Sequence, residues 1–210
     1  SLLVGSSQFR VIGNPYPSAL NFHKIISNST NASGGFADAF YLWDATITGS
    51  NGVGGWVAMS YNSSTGAYDR NVVSSNISNN GDIQSGAAFV IDYSGAATSL
   101  QVKESDKAAG SNNSQFRPAG QLNQLSVTLL AKNSDNTTSV NDGLLVSFDD
   151  AYNSAVDNAD MKKIANFAEN FAVVTNETAL VIERRKSFLQ MDTIHFKMTK
   201  MKQKNYQLEF

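Results

Sequence analysis

Apolar residues in this chain come in short runs with a period near two, and no other feature constrains the fold as much. Phe9–Ile12, Ala39–Trp43, Trp56–Tyr61, Ala88–Tyr93 and Leu100–Lys103 are each 4 to 6 residues long. They are rich in aromatic and β-branched types and are bounded by Gly, Asn or Ser. Successive side chains of a strand point to opposite faces, so such runs read as short strands between tight turns. Beyond residue 120 the pattern continues in Leu122–Ala131, Gly143–Phe148, Phe171–Val174, Ala179–Arg184, Thr193–Met198 and Tyr206–Phe210. Leu125, Val127 and Leu129 share one face of the first of these, and the polar tip Asn133–Asn141 joins it to the next as a hairpin.

Eleven or so short strands predict an all-β chain of one or two antiparallel β-sandwich domains, jelly-roll or immunoglobulin-like, with at most two short helices. Val156, Asp160, Ile164 and Phe167 recur at spacings of three and four, which places one helical turn near 157–165. Glu104–Gly120 is almost free of apolar residues and holds Pro118, so the expected boundary lies there: 1–117 as a first sandwich domain and 118–210 as a second. A length of 210 residues allows either arrangement. No period of the length used by propellers and solenoids repeats.

Charged residues are only 16% of the chain and net charge is -2. The surface is therefore built from Asn, Ser, Thr and Gly, and composition offers nothing to attract nucleic acid or an anionic membrane. No run approaches the roughly 18 apolar residues of a membrane-spanning helix, so no membrane insertion is expected. The chain has no cysteine, which removes disulfides, thiolate metal sites and cysteine nucleophiles and suits a cytosolic or bacterial surface protein. It starts on the apolar run Leu2-Leu3-Val4 and stops on Leu208-Glu209-Phe210, and is read as a piece of a larger parent chain.

Candidates for chemistry are few. The two histidines, His23 and His195, lack a local catalytic signature, and no serine lies in a G-x-S-x-G elbow. No catalytic residue is assigned. Asp142, Asp149, Asp150, Asp157 and Asp160 gather around one strand and its following loop. Calcium takes carboxylates from such loops, and Asp149, Asp150 and Asp157 are the candidate ligands; otherwise no cofactor is expected. Turn chemistry uses the same residues, and D-x-[DN]-x-[DN]-G is absent. Trp43, Trp56, Tyr61, Tyr68 and Tyr93 offer flat faces for sugar stacking. Trp43 and Trp56 sit in apolar strands and read as core, so Tyr61 and Tyr68, which flank the polar loop 62–66, are the candidate ligand-binding residues. Asn-x-Ser/Thr triplets starting at Asn28, Asn31, Asn62, Asn76, Asn112, Asn136 and Asn176 mark polar loops.

Two of the chain's three prolines fall in Gly13-Asn14-Pro15-Tyr16-Pro17. Proline fixes φ and lacks an N–H, so Asn14, Pro15, Tyr16 and Pro17 read as a rigid structural corner ending the strand Phe9–Ile12. Aromatic–Pro bonds favour the cis isomer more than most, and Tyr16–Pro17 is expected to be cis.

The segment Phe9 to Phe22 (FRVIGNPYPSALNF) resembles W-N-L-I-G-N-P-Y-P-S-A-I-D-W, a stretch of large secreted and surface proteins of Bacteroidetes. There it lies in the region preceding a type IX secretion sorting domain. Further matches follow in order. Ala39–Asp44 resembles the family's LYVWD, Ile83–Val90 its I-x-x-G-Q-G-F-F-V, and Asp142–Phe148 its D-x-x-x-V-x-F. Asp160–Lys163 resembles D-A-x-K, Glu169–Ala172 E-N-L-A, and Leu180–Arg185 L-S-I-x-x-R/L-P. Asp192-Thr193-Ile194 is similar to the O-glycosylation site of Bacteroidetes. The resemblance implies a secreted or outer-surface location, a pair of β-sandwiches and a non-catalytic module with no defined enzymatic activity; the family's sorting domain is missing from this chain. Two readings stand: an adhesion module holding a glycan or a neighbouring surface protein, and a structural spacer presenting other domains. A hydrolase is the distant third.

Overall fold

The structure, a computed structural model, describes residues 2–3, 9–32, 34–49, 52–72, 77–93, 99–108, 123–187, 192–202 and 205–210. The chain is all-β and sandwich-like, built of antiparallel sheets, as the period-two runs predict. It divides into two compact units. One comprises Ser1–Leu42, Met59–Asp69 and Ser78–Pro118; the other comprises Trp43–Ala58, Arg70–Ile77 and Ala119–Phe210. No helix of the described residues is long and apolar enough to cross a membrane.

The elements before residue 109 are β1 (Leu2–Leu3), β2 (Phe9–Gly13), β3 (Leu20–Asn21), α1 (Phe22–Ser27), α2 (Ser29–Ala32), β4 (Ala39–Asp44), β5 (Gly55–Asn62), β6 (Ala67–Arg70), β7 (Asp82–Ile83), β8 (Ala88–Asp92) and β9 (Ser99–Leu100). A five-stranded sheet runs in the order β2-β8-β4-β5-β6. Two short ribbons, β1-β9 and β3-β7, accompany it. The first unit's core is aromatic: Phe22 lies 4.6 Å from Phe40 and 5.6 Å from Phe89, ring to ring, and all three are fully buried.

The sequence pattern missed α1. Asn21 caps it, its side-chain oxygen accepting from the Lys24 N–H, and Phe22, Ile25 and Ile26 form its buried stripe. A six-residue helix has no stability of its own, so that stripe, packed into the aromatic core, holds it in place.

The helical turn expected near 157–165 does not form. Asp149, Asn153 and Asp157 accept from the N–H two residues ahead, on Ala151, Ala155 and Ala159. The N–H of Asp157 goes to Asp160 Oδ2, and Asp160 Oδ1 takes the Arg184 N–H. These side chains satisfy N–H groups ahead of the expected helix and in its first turn, while the Lys163 N–H, a donor the helix would use, goes to the Ala179 carbonyl at 2.9 Å. Part of the expected helix is strand, Met161–Lys162, pairing with Ile182 and Leu180. Of the polar seam, Glu104–Asp106 forms one turn of 3-10 helix; residues 109–122, Pro118 included, lie outside the described residues.

The later strands are β10 (Gln124–Lys132), β11 (Thr138–Phe148), β12 (Met161–Lys162), β13 (Asn170–Thr175), β14 (Thr178–Arg185), β15 (Phe196–Thr199) and β16 (Asn205–Glu209). Their sheet runs β15-β13-β14-β11-β10-β16, with β12 paired to β14. The expected hairpin is β10–β11, with a register shift between Leu129 and Leu130. β11 and β14 depart from the antiparallel pattern and run parallel, Leu145 opposite Ile182. Val127, Leu129, Leu144, Val146, Phe171, Val173 and Leu180 form the second unit's core.

The proline corner is architectural. Asn14 is 2% exposed, and its Nδ2 donates to the carbonyls of Ser18, Ile83 and Gln84 at 3.0–3.1 Å. Its Oδ1 accepts from the Tyr16 N–H, and its backbone pairs with Ala87 and Gly86. Pro15 and Pro17 are exposed and Tyr16 is half-buried. No described peptide bond is cis, which corrects the expectation for Tyr16–Pro17. The bend is set by the buried Asn14 amide rather than by proline isomerism.

Candidate functional site

In the second unit, Trp43 from the end of β4, Trp56 from β5 and Phe167 from the loop between β12 and β13 come together. The Trp43 and Trp56 rings are 5.1 Å apart at 80°, and Trp43 and Phe167 are 5.9 Å apart at 68°. Both tryptophans are half-buried, whereas Phe167 is 72% exposed. Gly54, at φ +97°, lies against the Trp43 indole so closely that an added Cβ would sit 2.5 Å from Nε1. Only glycine fits both that conformation and that approach.

An exposed phenylalanine is held here by buried polar groups. Asn166, 2% exposed, accepts the Trp56 N–H on its side chain at 3.0 Å and donates its own N–H to Asn170 Oδ1 at 2.6 Å. Asn170 Nδ2 donates to the Asn166 and Ala168 carbonyls on either side of Phe167. The loop is anchored beneath by Asp142, which is wholly buried. Its Oδ2 accepts the Phe171 N–H at 2.7 Å and its Oδ1 the Gly143 N–H at 2.9 Å. Lys163 reaches Oδ1 at 2.8 Å and Oδ2 at 2.6 Å, with its own side chain 6% exposed. Burial pushes the Asp142 carboxyl above the ordinary carboxylate range, and Lys163 and the two N–H groups pull it back.

The first unit carries a second cluster. His23 Nδ1 lies 2.5 Å from Asp38 Oδ2, and the Tyr68 hydroxyl donates to Asp38 Oδ1. The His23 and Tyr61 rings stack 3.9 Å apart at 16°, and Tyr61 lies 5.5 Å from Tyr68 at 66°. The His23 side chain is 39% exposed. A carboxylate on Nδ1 fixes the tautomer of a neutral imidazole and leaves Nε2 as acceptor. Burial, then the Asp38 charge, pushes the Tyr68 hydroxyl far above its ordinary range.

Of the ligand candidates read from the sequence, Tyr61 and Tyr68 do meet, but Tyr68 is 3% exposed and cannot serve as a stacking platform. It is the inward residue of β6, packed against Phe40, with Gly81 pressed on its ring. Tyr93 is likewise closed in, stacked on Phe36 and covered by the Arg10 guanidinium. Trp43 and Trp56, read as core, are the more open pair. The calcium candidates do not converge: Asp149, Asp150 and Asp157 are exposed, and Asp149 and Asp157 spend their carboxylates on local turns. Among the described residues no group of three or more His, Asp or Glu side chains is placed to hold a metal ion. The sequence set His23 aside as lacking a catalytic signature and placed Phe167 in a helical pattern, and it gave no sign of Asp38. No local signal marks these residues, because the exposure of Phe167 and the meeting of His23 with Asp38 are set by what packs from elsewhere in the chain.

Residues 4–210 match the model of a family described as Domain of unknown function (DUF8693). The chain is a member of the DUF8693 family. No curated protein and no solved structure matches it. The clamped aromatic loop and the His23–Asp38 cluster are thus features of a DUF8693 chain described on their own geometry.

Proposed function

We propose that the chain is a non-catalytic binding module of a secreted or outer-surface protein, and that Trp43, Trp56 and Phe167 hold a glycan. The observation that carries this reading is Phe167. An apolar ring left 72% exposed costs free energy in water, yet the loop presenting it is fixed by two buried asparagines. Aromatic rings held rigidly beside a polar surface stack on the apolar faces of pyranose rings without losing side-chain entropy on binding. The resemblance to exported Bacteroidetes modules and the surface of uncharged polar residues support export.

A glycan array probed with the chain and with Phe167→Ala tests the reading. Binding is expected for the native chain and loss of it for the variant, with both melting alike. Silence across neutral and acidic glycans would leave the structural-spacer reading in its place. The His23–Asp38 pair is the one feature favouring a hydrolase; glycan or ester turnover abolished by His23→Ala would replace binding as the function.

A further inference from the structure

We infer that the glycan is acidic, a polysaccharide bearing carboxylates, recognised by the lysines of β15 and its following turn together with the Phe167 surface; this rests on the glycan reading above. The chain as a whole is slightly acidic, but its charge is not evenly spread. Residues 195–204 (HFKMTKMKQK) hold four of the sixteen Lys and Arg residues, Lys197, Lys200, Lys202 and Lys204, and no Asp or Glu. All four residues of β15 are exposed, and it is an edge strand of its sheet. Lys197 and Lys200 form no ion pair with a described carboxylate. Three residues apart, the two set up a local positive potential that an anionic ligand would meet.

The strand also lies beside the aromatic loop. β15 pairs with β13, Thr199 opposite Asn170 and Met198 opposite Phe171, directly after the loop that carries Phe167. At the end of β15 the chain turns through Lys200, at φ 55°, and Lys200 Nζ donates to the Asn166 carbonyl at 3.0 Å. An ammonium is thereby fixed at the residue next to Phe167. Stacking faces with adjacent ammonium groups match a uronic acid, whose ring has an apolar face and whose C6 carboxylate lies at its rim. Nucleic acid fits less well. Its phosphates carry one charge per roughly 1.7 Å of duplex, and binding draws on many cations along that track, whereas here Lys197 and Lys200 stand beside a single aromatic surface.

Affinity electrophoresis in gels containing polygalacturonate, its methyl-esterified form, dextran sulfate or single-stranded DNA tests the inference. Retardation is expected with polygalacturonate, weakening as salt is raised, and much less with the methyl ester. Lys197→Gln/Lys200→Gln should bind about tenfold more weakly, as expected for two exposed charge contacts, and Lys197→Arg/Lys200→Arg should restore binding. Equal retardation by the methyl ester, sensitive to Phe167→Ala, overturns the acidic inference and leaves the glycan reading intact. Stronger retardation by dextran sulfate overturns the carboxylate choice, and stronger retardation by DNA overturns the glycan class. Retardation by none of the four, with an array silent for neutral glycans, removes both readings.

Discussion

Lys163→Met removes the ammonium that pairs with Asp142, a carboxylate with no exposure to water. Asp142 would keep two backbone N–H donors, from Phe171 and Gly143, but lose the charge that reaches both of its oxygens at 2.6–2.8 Å. Removing one partner of a buried ion pair costs about 3–5 kcal/mol, because an uncompensated charge is left inside. Set against the roughly 5–15 kcal/mol that holds a domain folded, that is a large share. The loss depends on pH. Burial already holds the Asp142 carboxyl above its ordinary range, and deleting Lys163 removes its main opposing pull. A carboxyl whose folded pKa exceeds its unfolded value contributes stability below the unfolded value, near pH 4, and loses it as pH rises through the folded value. Lys163→Met should therefore be least damaged near pH 4 and most damaged at neutral pH. Adding Asp142→Asn, which removes the charge but keeps an acceptor for only one of the two N–H groups, should recover part of the loss. Urea unfolding followed by tryptophan fluorescence reads this out, since Trp43 and Trp56 both belong to the same unit as the pair. A loss under about 1 kcal/mol, or an equal loss at pH 4 and pH 8, would refute the sequestered-charge account.

Asn14→Ala strips the proline corner of its buried amide and of its bonds to the Ser18, Ile83 and Gln84 carbonyls; a loss of about 1–3 kcal/mol in chemical unfolding is expected. Gly143→Ala would place a Cβ 2.6 Å from the Asn71 carbonyl oxygen, and a lowering of stability by about 1–3 kcal/mol should appear in the same unfolding experiment. Burial holds the Tyr41 and Tyr68 hydroxyls far above the ordinary tyrosine range. In an ultraviolet titration two of the seven tyrosines should therefore stay un-ionised until the chain unfolds, with stability falling as pH rises past the ordinary tyrosine pKa.

The sequence by itself determined the strand content, the hairpin of β10 and β11, the structural role of Asn14 and the core face of Leu125, Val127 and Leu129. Each of these rests on alternation or on backbone chemistry within a few residues, which local spacing records. Only the tertiary structure decided the rest. Val156, Asp160, Ile164 and Phe167 have helical spacing, but β14 draws Met161 and Lys162 into a sheet and its Ala179 carbonyl takes the Lys163 N–H. Tyr61 and Tyr68 look alike beside a polar loop, yet Gly81 and Phe40, distant in sequence, close over Tyr68. Phe167 is exposed because Asn166 is bound to Trp56, 110 residues away in the chain. Exposure and partnership are set by what packs from elsewhere, and the meeting of Trp43, Trp56, Phe167 and Lys200 is a product of that packing alone.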